Sequence, residues 1–348
     1  MDVETAYLYG ELQEEVYMRQ PPGFEEPGKE DWVCRLHKGL YGLKQAARQW
    51  YLKLHEALTA IGFERSTADQ GLYSLRWEGE ELHLAVYVDD FGLFASGVKI
   101  LGEVKARIAS AFTVKDLGEM RFCLGIEVVR DRSRRTLQVS QRPYIEHLAA
   151  KYHMTSPHPV VIPLDPSLVL RKAQSPQTDE ERREMSGVPY AQLLGGLLWV
   201  MLVTRPDLSF AVVRLAQFAA CPGKTHWSAL KRVLAYLVTT KEWALTYGTG
   251  GRNESTLEVY SDADYASADI DGRRSHSAYV SMLNGGAISW ASKKQESVVI
   301  STCEAEYVAL AHAVMETIWL RSVLTSLRLP PPAPRRSTRT TAVPERSP

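Results

Sequence analysis

Two adjacent carboxylates interrupt the most strand-like stretch of this chain, and their position restricts what the chain can fold into. Residues 82–88 and 91–95 are short apolar runs in which valine and aromatic side chains favour the pleated state. They meet at Asp89-Asp90, so the pattern predicts a β-hairpin with acids at its turn. Two carboxylates side by side on a tight turn repel each other and lose hydration, a cost that falls when a cation neutralises them. Aspartate is also a favoured turn residue, and a water-screened surface turn accounts equally well for Tyr87-Val88-Asp89-Asp90 taken alone. The segment from Asp2 to Gly10 tips the balance, because it adds another acid ahead of an apolar-periodic stretch. Carboxylates from two separate segments can hold two hard divalent ions, the arrangement that in-line attack on a nucleotide phosphate requires.

Other signals place this hairpin in a mixed α/β chain. Residues 46–61 carry Trp50, Leu54, Leu58 and Ile61 at spacings of three and four, which predicts an amphipathic helix, with Gly39-Leu40-Tyr41-Gly42 as a flexible lead-in. Helix and strand signals alternate to about Met154. Residues 155–187 are rich in Pro, Ser, Glu and Arg and predict a long connector. From 190 to 237 the pattern is helical, with Asp207 and Thr225 as expected N-caps and Pro206 and Pro222 as breaks. Strands are expected at 257–261, 277–283 and 287–290, the last two joined around Asn284-Gly285-Gly286. A helix should open at Ser301, with Glu304 at capping-box spacing, and run to about Leu324. The proline- and arginine-rich residues 330–348 cannot build a core and are expected to be disordered.

Charge and cysteine usage narrow the classes. Lys+Arg and Asp+Glu are equal at 41 each in 348 residues, so any nucleic-acid surface must be local. Basic residues cluster at Arg35, His37, Lys38, Lys44, Arg48 and Lys53, at Arg130, Arg132, Arg134 and Arg135, and at Lys224, Lys231 and Arg232; a solvated face is the ordinary explanation of such runs. Cys34, Cys123, Cys221 and Cys303 are far apart, which argues against a zinc site or a disulfide framework and fits a reducing compartment. No charged-then-apolar leader opens the chain, and the longest apolar run, 193–203, is too short to cross a bilayer. A soluble, intracellular protein is expected.

Several segments occur together in an order that resembles the copia-type retrotransposon polymerase: Asp2-Val3 to Gly10, Leu40-Tyr41-Gly42-Leu43-Lys44-Gln45, Tyr87-Val88-Asp89-Asp90, Phe122 to Val128, Ser140-Gln141-Arg142-Pro143-Tyr144-Ile145, Tyr190 to Gly195, and Thr204-Arg205-Pro206-Asp207. The resemblance covers nearly all of residues 1–329. It implies RNA-directed DNA synthesis with deoxynucleotides on an RNA or DNA template-primer. It further implies that Asp2 and Asp89 bind two Mg²⁺ ions, Mn²⁺ being the alternative, with Asp90 completing the acidic cluster. Lys44, Gln45 and Arg48 would lie near the incoming nucleotide or template, the segment around Leu124-Gly125-Ile126 would resemble the primer grip, and 141–154 the start of the thumb.

The C-terminal part resembles ribonuclease H. Val259-Tyr260-Ser261-Asp262-Ala263-Asp264 ends a strand with acids, and the helix begins Thr302-Cys303-Glu304-Ala305-Glu306-Tyr307. Helical periodicity does not separate Glu304 from Glu306; the resemblance selects Asp262 and Glu306 as the metal-binding acids, and Glu304 fits an N-terminal capping role. The family carries a fingers region ahead of the first acid and a third ribonuclease H acid after the helix. Here Met1 directly precedes Asp2, and Glu345 is the tail's only carboxylate, so both sites are expected to be incomplete and polymerisation by this chain alone poor or absent.

The implied architecture is an α/β (α+β) chain: a truncated palm and start of thumb at 1–154, a linker at 155–189, a helical connection at 190–248, a partial ribonuclease H-like domain at 253–329 and the tail. Other parts of a retrotransposon polyprotein are the implied partners, with no membrane and no organic cofactor. A remnant without activity that at most binds nucleic acid is the alternative.

Overall fold

A computed structural model describes residues 1–248, 256–265 and 273–329. The chain divides into two compact units, one of residues 1–120 with 322–329, the other containing 121–321.

The first unit is built on a six-stranded sheet in the order β4-β5-β6-β7-β1-β8, every pairing antiparallel. The strands are β1 (Asp2–Val3), β4 (Glu64–Arg65), β5 (Leu72–Trp77), β6 (Glu80–Tyr87), β7 (Asp90–Ala95) and β8 (Val114–Lys115); β2 (Glu11–Arg19) and β3 (Val33–Lys38) form a separate ribbon. Helices α1 (Ala46–Ile61) and α2 (Val98–Ala111) supply the rest of the core. Each buries one stripe at intervals of four residues, Ala46, Trp50, Leu54 and Leu58 on α1 and Ile100, Val104 and Ile108 on α2. These meet Val3, Phe63, Tyr73, Leu82, Leu84 and Phe91. Burying each such side chain contributes about 1.5–3 kcal/mol. Gly62, at φ 110°, ends α1 in the left-handed conformation that glycine tolerates. Gly10 is required for a different reason: a Cβ there would stand 2.8 Å from the backbone nitrogen of Trp50, so only glycine lets the chain after Asp2 pass this close to α1.

The second unit contains a four-stranded sheet, β12-β11-β10-β9, formed by β9 (Phe122–Cys123), β10 (Ile126–Asp131), β11 (Thr136–Ser140) and β12 (Leu245–Tyr247). Its helices are α3 (Arg142–Lys151), α4 (Asp179–Ser186), α5 (Tyr190–Val203), α6 (Ser209–Ala216) and α7 (Lys224–Thr239). A three-stranded sheet, β13 (Glu258–Asp264), β14 (His276–Leu283) and β15 (Gly286–Lys294), precedes helix α8 (Thr302–Ser326). Helix α5 is apolar on most sides because it is the centre of the core, with Leu193, Leu197 and Val200 fully buried against α3, α6 and α7. Among the described residues no single helix is long and apolar enough to cross a membrane.

The predicted helix 46–61 and the three strands before the last helix are present, the strands longer than expected. Asn284 and Gly285, at φ 52° and 80°, form the tight turn of the last hairpin. Three expectations change here. The loop of the acidic hairpin is Val88-Asp89, and Asp90 is the first residue of β7, because the β6–β7 ladder closes at Tyr87↔Asp90. The stretch 155–187 holds the short helix α4, capped by Thr178, and contributes Leu170 and Met185 to buried positions, since its few apolar residues can reach the helical core. Gly223 takes the N-cap position of α7 in place of Thr225, and its N–H donates to Nδ1 of the buried His226 (2.9 Å). The predicted disordered tail lies outside the described residues.

Asp207 caps no helix because its carboxylate neutralises Arg205. That guanidinium is 2% exposed and donates to both carboxylate oxygens of Asp207 (2.9 and 2.8 Å) and to the carbonyl and hydroxyl of Thr240 (3.1 and 2.6 Å). Tyr236 also donates to Asp207 (2.8 Å), and the rings of Tyr236 and Trp243 lie 5.4 and 5.3 Å from the guanidinium carbon. Removing one partner of so buried a pair strands the other. Arg205→Ala is expected to lower stability in urea denaturation by roughly 3–5 kcal/mol, whereas Arg134→Ala, at an exposed pair, should stay within about 0.5 kcal/mol.

Candidate active site

Strand order brings together acids that are far apart in sequence. Strand β1 lies between β7 and β8, with Asp2 opposite Asp90 on one side and Lys115 on the other. The Val3 N–H donates to the Asp89 carbonyl (2.9 Å) and the Phe91 N–H to the Met1 carbonyl (2.8 Å), fixing β1 against the acidic hairpin. Asp2, Asp89 and Asp90 are each half-buried. None takes part in an ion pair among the described residues. Burial, reinforced by the charges of Asp89 and Asp2, pushes the Asp90 carboxyl above its usual range.

The hairpin that presents these acids is strained. Val88 has φ 58°, a left-handed conformation usually left to glycine in two-residue hairpins and costly for a β-branched residue, by about 1–2 kcal/mol. Trp50 braces it: the indole Nε1 donates to the Val88 carbonyl (2.8 Å), and the ring packs against Tyr9 and Phe112 at 5.9 and 5.1 Å. A cavity of about 280 Å³ opens beside the hairpin, lined among others by Tyr7, Trp50, Tyr51, Leu54, Tyr73 and Val88.

Tyr7 and Tyr41 form a wall of the site, their rings 4.5 Å apart. Burial and the charges of Asp89, Tyr7 and Asp2 push the Tyr41 hydroxyl upward, which ties this ring electrostatically to the acids. Gln45 occupies the N-cap position of α1 without a side-chain cap bond, and the helix has no acid in its first turn. Lys44 and Arg48 are exposed there. Two cations at an uncapped helix N-terminus oppose the macrodipole and leave a place where an anion is stabilised.

The remaining predicted residues lie in the second unit. Leu124 and Gly125, at φ 51° and 77°, make the turn between β9 and β10. Asp262 is exposed on edge strand β13, opposite Ala278. Its neighbours in the alternation belong to the other face, where Ser281 and Ser277 are buried, the Ser289 hydroxyl donates to Glu316 of α8 (2.5 Å), and Gln295 links Ser277 to the Ala305 carbonyl. Glu306 is half-buried in the first turns of α8, whose Ala305, Ala309 and Ala313 form a fully buried seam. Glu304 caps: its N–H donates to Ser301 (3.1 Å) and its carboxylate accepts from the Ile300 N–H (2.8 Å). The ladder itself brings Asp2, Asp89 and Asp90 together and does not do so for Asp262 and Glu306.

Comparison with known proteins identifies the family. Residues 1–166 match the family "Reverse transcriptase (RNA-dependent DNA polymerase)". The Pol polyprotein of transposon TNT 1-94 from Nicotiana tabacum is 41% identical over 330 residues, 94% of this chain and 24% of that protein. That of transposon RE2 from Arabidopsis thaliana is 39% identical over 94% of this chain and 22% of its own length. A putative transposon Ty5-1 protein of Saccharomyces cerevisiae is 34% identical, over 91% of this chain and 100% of that protein. The chain belongs to the copia-type retrotransposon Pol family of reverse transcriptases. It spans about a quarter of the length of the plant polyproteins it matches. A solved foamy viral protease-reverse transcriptase in complex with RNA/DNA hybrid aligns with 92% of this chain and 36% of its own, at 14% identity and a TM-score of 0.46.

In this copia-type chain the acidic cluster offers oxygen donors only, from two segments, and burial first, then the charges of Asp89 and Asp2, raises the Asp90 carboxyl above its usual range. Among the described residues no group of three or more His, Cys, Asp or Glu side chains is arranged so that it could hold a metal ion. Sequence reading missed Tyr7, Tyr41 and Val88 as site residues. Tyr41 falls in a Gly-flanked segment whose sequence predicts a flexible lead-in, and the spacing of Trp50 predicts only a helix face. A β-branched residue before Asp89 was the available signal for the hairpin strain.

Val88→Gly should remove that strain and raise stability by about 1 kcal/mol in urea denaturation. Asp90 gives a pH test. A carboxyl raised above its unfolded value favours folding while protonated and loses that contribution as pH rises through the folded pKa. Asp90→Asn should therefore raise the melting temperature at neutral pH, and the gain should shrink as pH falls below the usual carboxylate range, followed by circular dichroism.

Proposed function

We propose that the first unit carries the polymerase site of an RNA-directed DNA polymerase, in which a primer 3′-hydroxyl attacks the α-phosphorus of a deoxynucleotide and pyrophosphate leaves. The observation that carries this reading is the pairing of Asp2 with Asp90 beside Asp89, three carboxylates from two segments, none in an ion pair among the described residues. Asp2, Asp89 and Asp90 would hold two Mg²⁺ ions. When bound, these ions lower the pKa of the attacking hydroxyl and neutralise charge on the phosphates. Lys44, Arg48 and the start of α1 would receive the nucleotide phosphates, with Gln45 and the Tyr7–Tyr41 wall beside the nucleoside. Trp50 fixes the Val88 carbonyl and so the direction in which Asp89 projects.

In the same reading 1–154 is palm and start of thumb, Gly125 lies in the primer-grip turn, 155–189 is a linker, 190–248 a connection and 253–329 a partial ribonuclease H-like domain. Three antiparallel strands followed by a helix support the last assignment, as does capping by Glu304, which leaves Glu306 as the helix acid to act with Asp262. Partners would be an RNA or DNA template-primer, deoxynucleotides and the rest of a Pol polyprotein, inside the cell.

Primer extension on an RNA template tests the central step. The full chain is expected to give weak, Mg²⁺-dependent extension that Asp89→Asn abolishes. Equal extension by both chains would contradict the assignment of Asp89; extension by neither would leave a nucleic-acid-binding chain without polymerase activity.

A further inference from the structure

Helix α8 buries its small residues and exposes its large ones. Ala305, Ala309 and Ala313 are buried on the side where the Gln295 amide donates to the Ala305 carbonyl (3.0 Å) and the Ser289 hydroxyl to Glu316. The other side carries Tyr307, Val314, Met315 and Ile318, each between 46 and 66% exposed. A surface helix of a globular protein ordinarily turns its apolar stripe inward and a polar face to water. Here both faces are apolar, and among the described residues the chain covers only one of them. Single exposed apolar side chains need no explanation, but a continuous row of large ones marks a contact surface.

The row has the spacing of a helix-pairing seam. Glu304, Tyr307, Ala311, Val314, Ile318 and Arg321 follow one another at alternating intervals of three and four, the a and d positions of a coiled coil. They span about five turns, roughly 25 Å, and all six lie in the second unit. No charged side chain falls within the seam between its two ends, which suits a protein surface and not a phosphate backbone.

The order of the seam is also complementary to itself. Turned end for end against a second copy, it sets Tyr307 against Ile318, Ala311 against Val314 and Glu304 against Arg321, and each layer occurs twice about a two-fold axis. The two central layers are narrow, so the helices can approach closely, and the larger Tyr307–Ile318 layers flank them. Opposite charges meet at both ends, whereas parallel pairing would set glutamate on glutamate and arginine on arginine. Glu304 and Arg321 also have interactions within their own chain, so the charged layers fix direction and the apolar layers supply the attraction.

We propose that the exposed face of α8 is a homodimer surface, on which two copies of the chain pair in antiparallel register. The pairing is independent of the polymerase reading. A seam of this length is shorter than an obligate interface, so the two copies should be in a concentration-dependent equilibrium with monomer.

Sedimentation equilibrium of the full chain across a concentration series tests this. The parent chain should approach twice its own mass as concentration rises. Ile318→Glu should weaken self-association by at least about tenfold, because it would bury a carboxylate against Tyr307 of the second copy. Its far-ultraviolet circular dichroism should match the parent, since the position is exposed. Val98→Glu, at an exposed valine of α2, should dimerise like the parent. Glu304→Arg should weaken pairing, and the exchange variant Glu304→Arg/Arg321→Glu should dimerise better than Glu304→Arg alone. A parent chain that stays monomeric throughout would overturn the proposal and leave the stripe to another part of a Pol polyprotein or to residues 330–348. Undiminished dimerisation of Ile318→Glu would overturn it as well, and an exchange variant no better than Glu304→Arg would overturn the antiparallel register.

Discussion

Strand β1 is two residues long, yet the candidate site depends on it. By inserting between β7 and β8 it sets Asp2 opposite Asp90 and holds the Asp89 carbonyl through the Val3 N–H. The pairing concentrates negative charge, and burial with the charges of Asp89 and Asp2 raises the Asp90 carboxyl, an arrangement unfavourable for folding. The rest of the first unit stabilises it. Val3 is buried among the α1 and α2 stripes, and Trp50 holds the strained Val88 from the side of α1.

Apolar burial is the source of that stabilisation. The side chains of α1, α2 and the sheet together contribute far more than the 1–2 kcal/mol of a left-handed valine, so the hairpin can remain strained without endangering the fold. The second unit handles a buried charge in the opposite manner. Arg205 is buried, but Asp207, Thr240 and two aromatic rings satisfy it from within. Charge is compensated by direct hydrogen bonds at Arg205, whereas none of Asp2, Asp89 and Asp90 takes part in an ion pair among the described residues.

Much of this was legible in the sequence because it follows from local periodicity. The four-residue spacing of α1, the Asn284-Gly285 turn and the Ser301–Glu304 cap all have short-range causes, and family resemblance supplied the grouping of Asp2 with Asp89. Local reasoning missed what depends on the tertiary fold. The hairpin turn fell one residue earlier than the acids suggested, because ladder register and not turn preference decided it. Asp207 resembled a helix cap until Arg205 required a counter-charge, and Tyr41 resembled a loop residue until its ring met Tyr7. Helix α4 and the buried Leu170 were hidden in a stretch whose composition suggested only a connector.

The carboxylates of Asp2, Asp89 and Asp90 are proposed to hold divalent metal. Thermal melting of the full chain with increasing Mg²⁺, beside an Asp2→Asn/Asp89→Asn double variant, addresses it most directly, since a cation that binds only the folded acids must raise their melting temperature. The account predicts a progressive rise for the parent chain and a flat response for the double variant. An equal rise in both, or none in the parent, would contradict it.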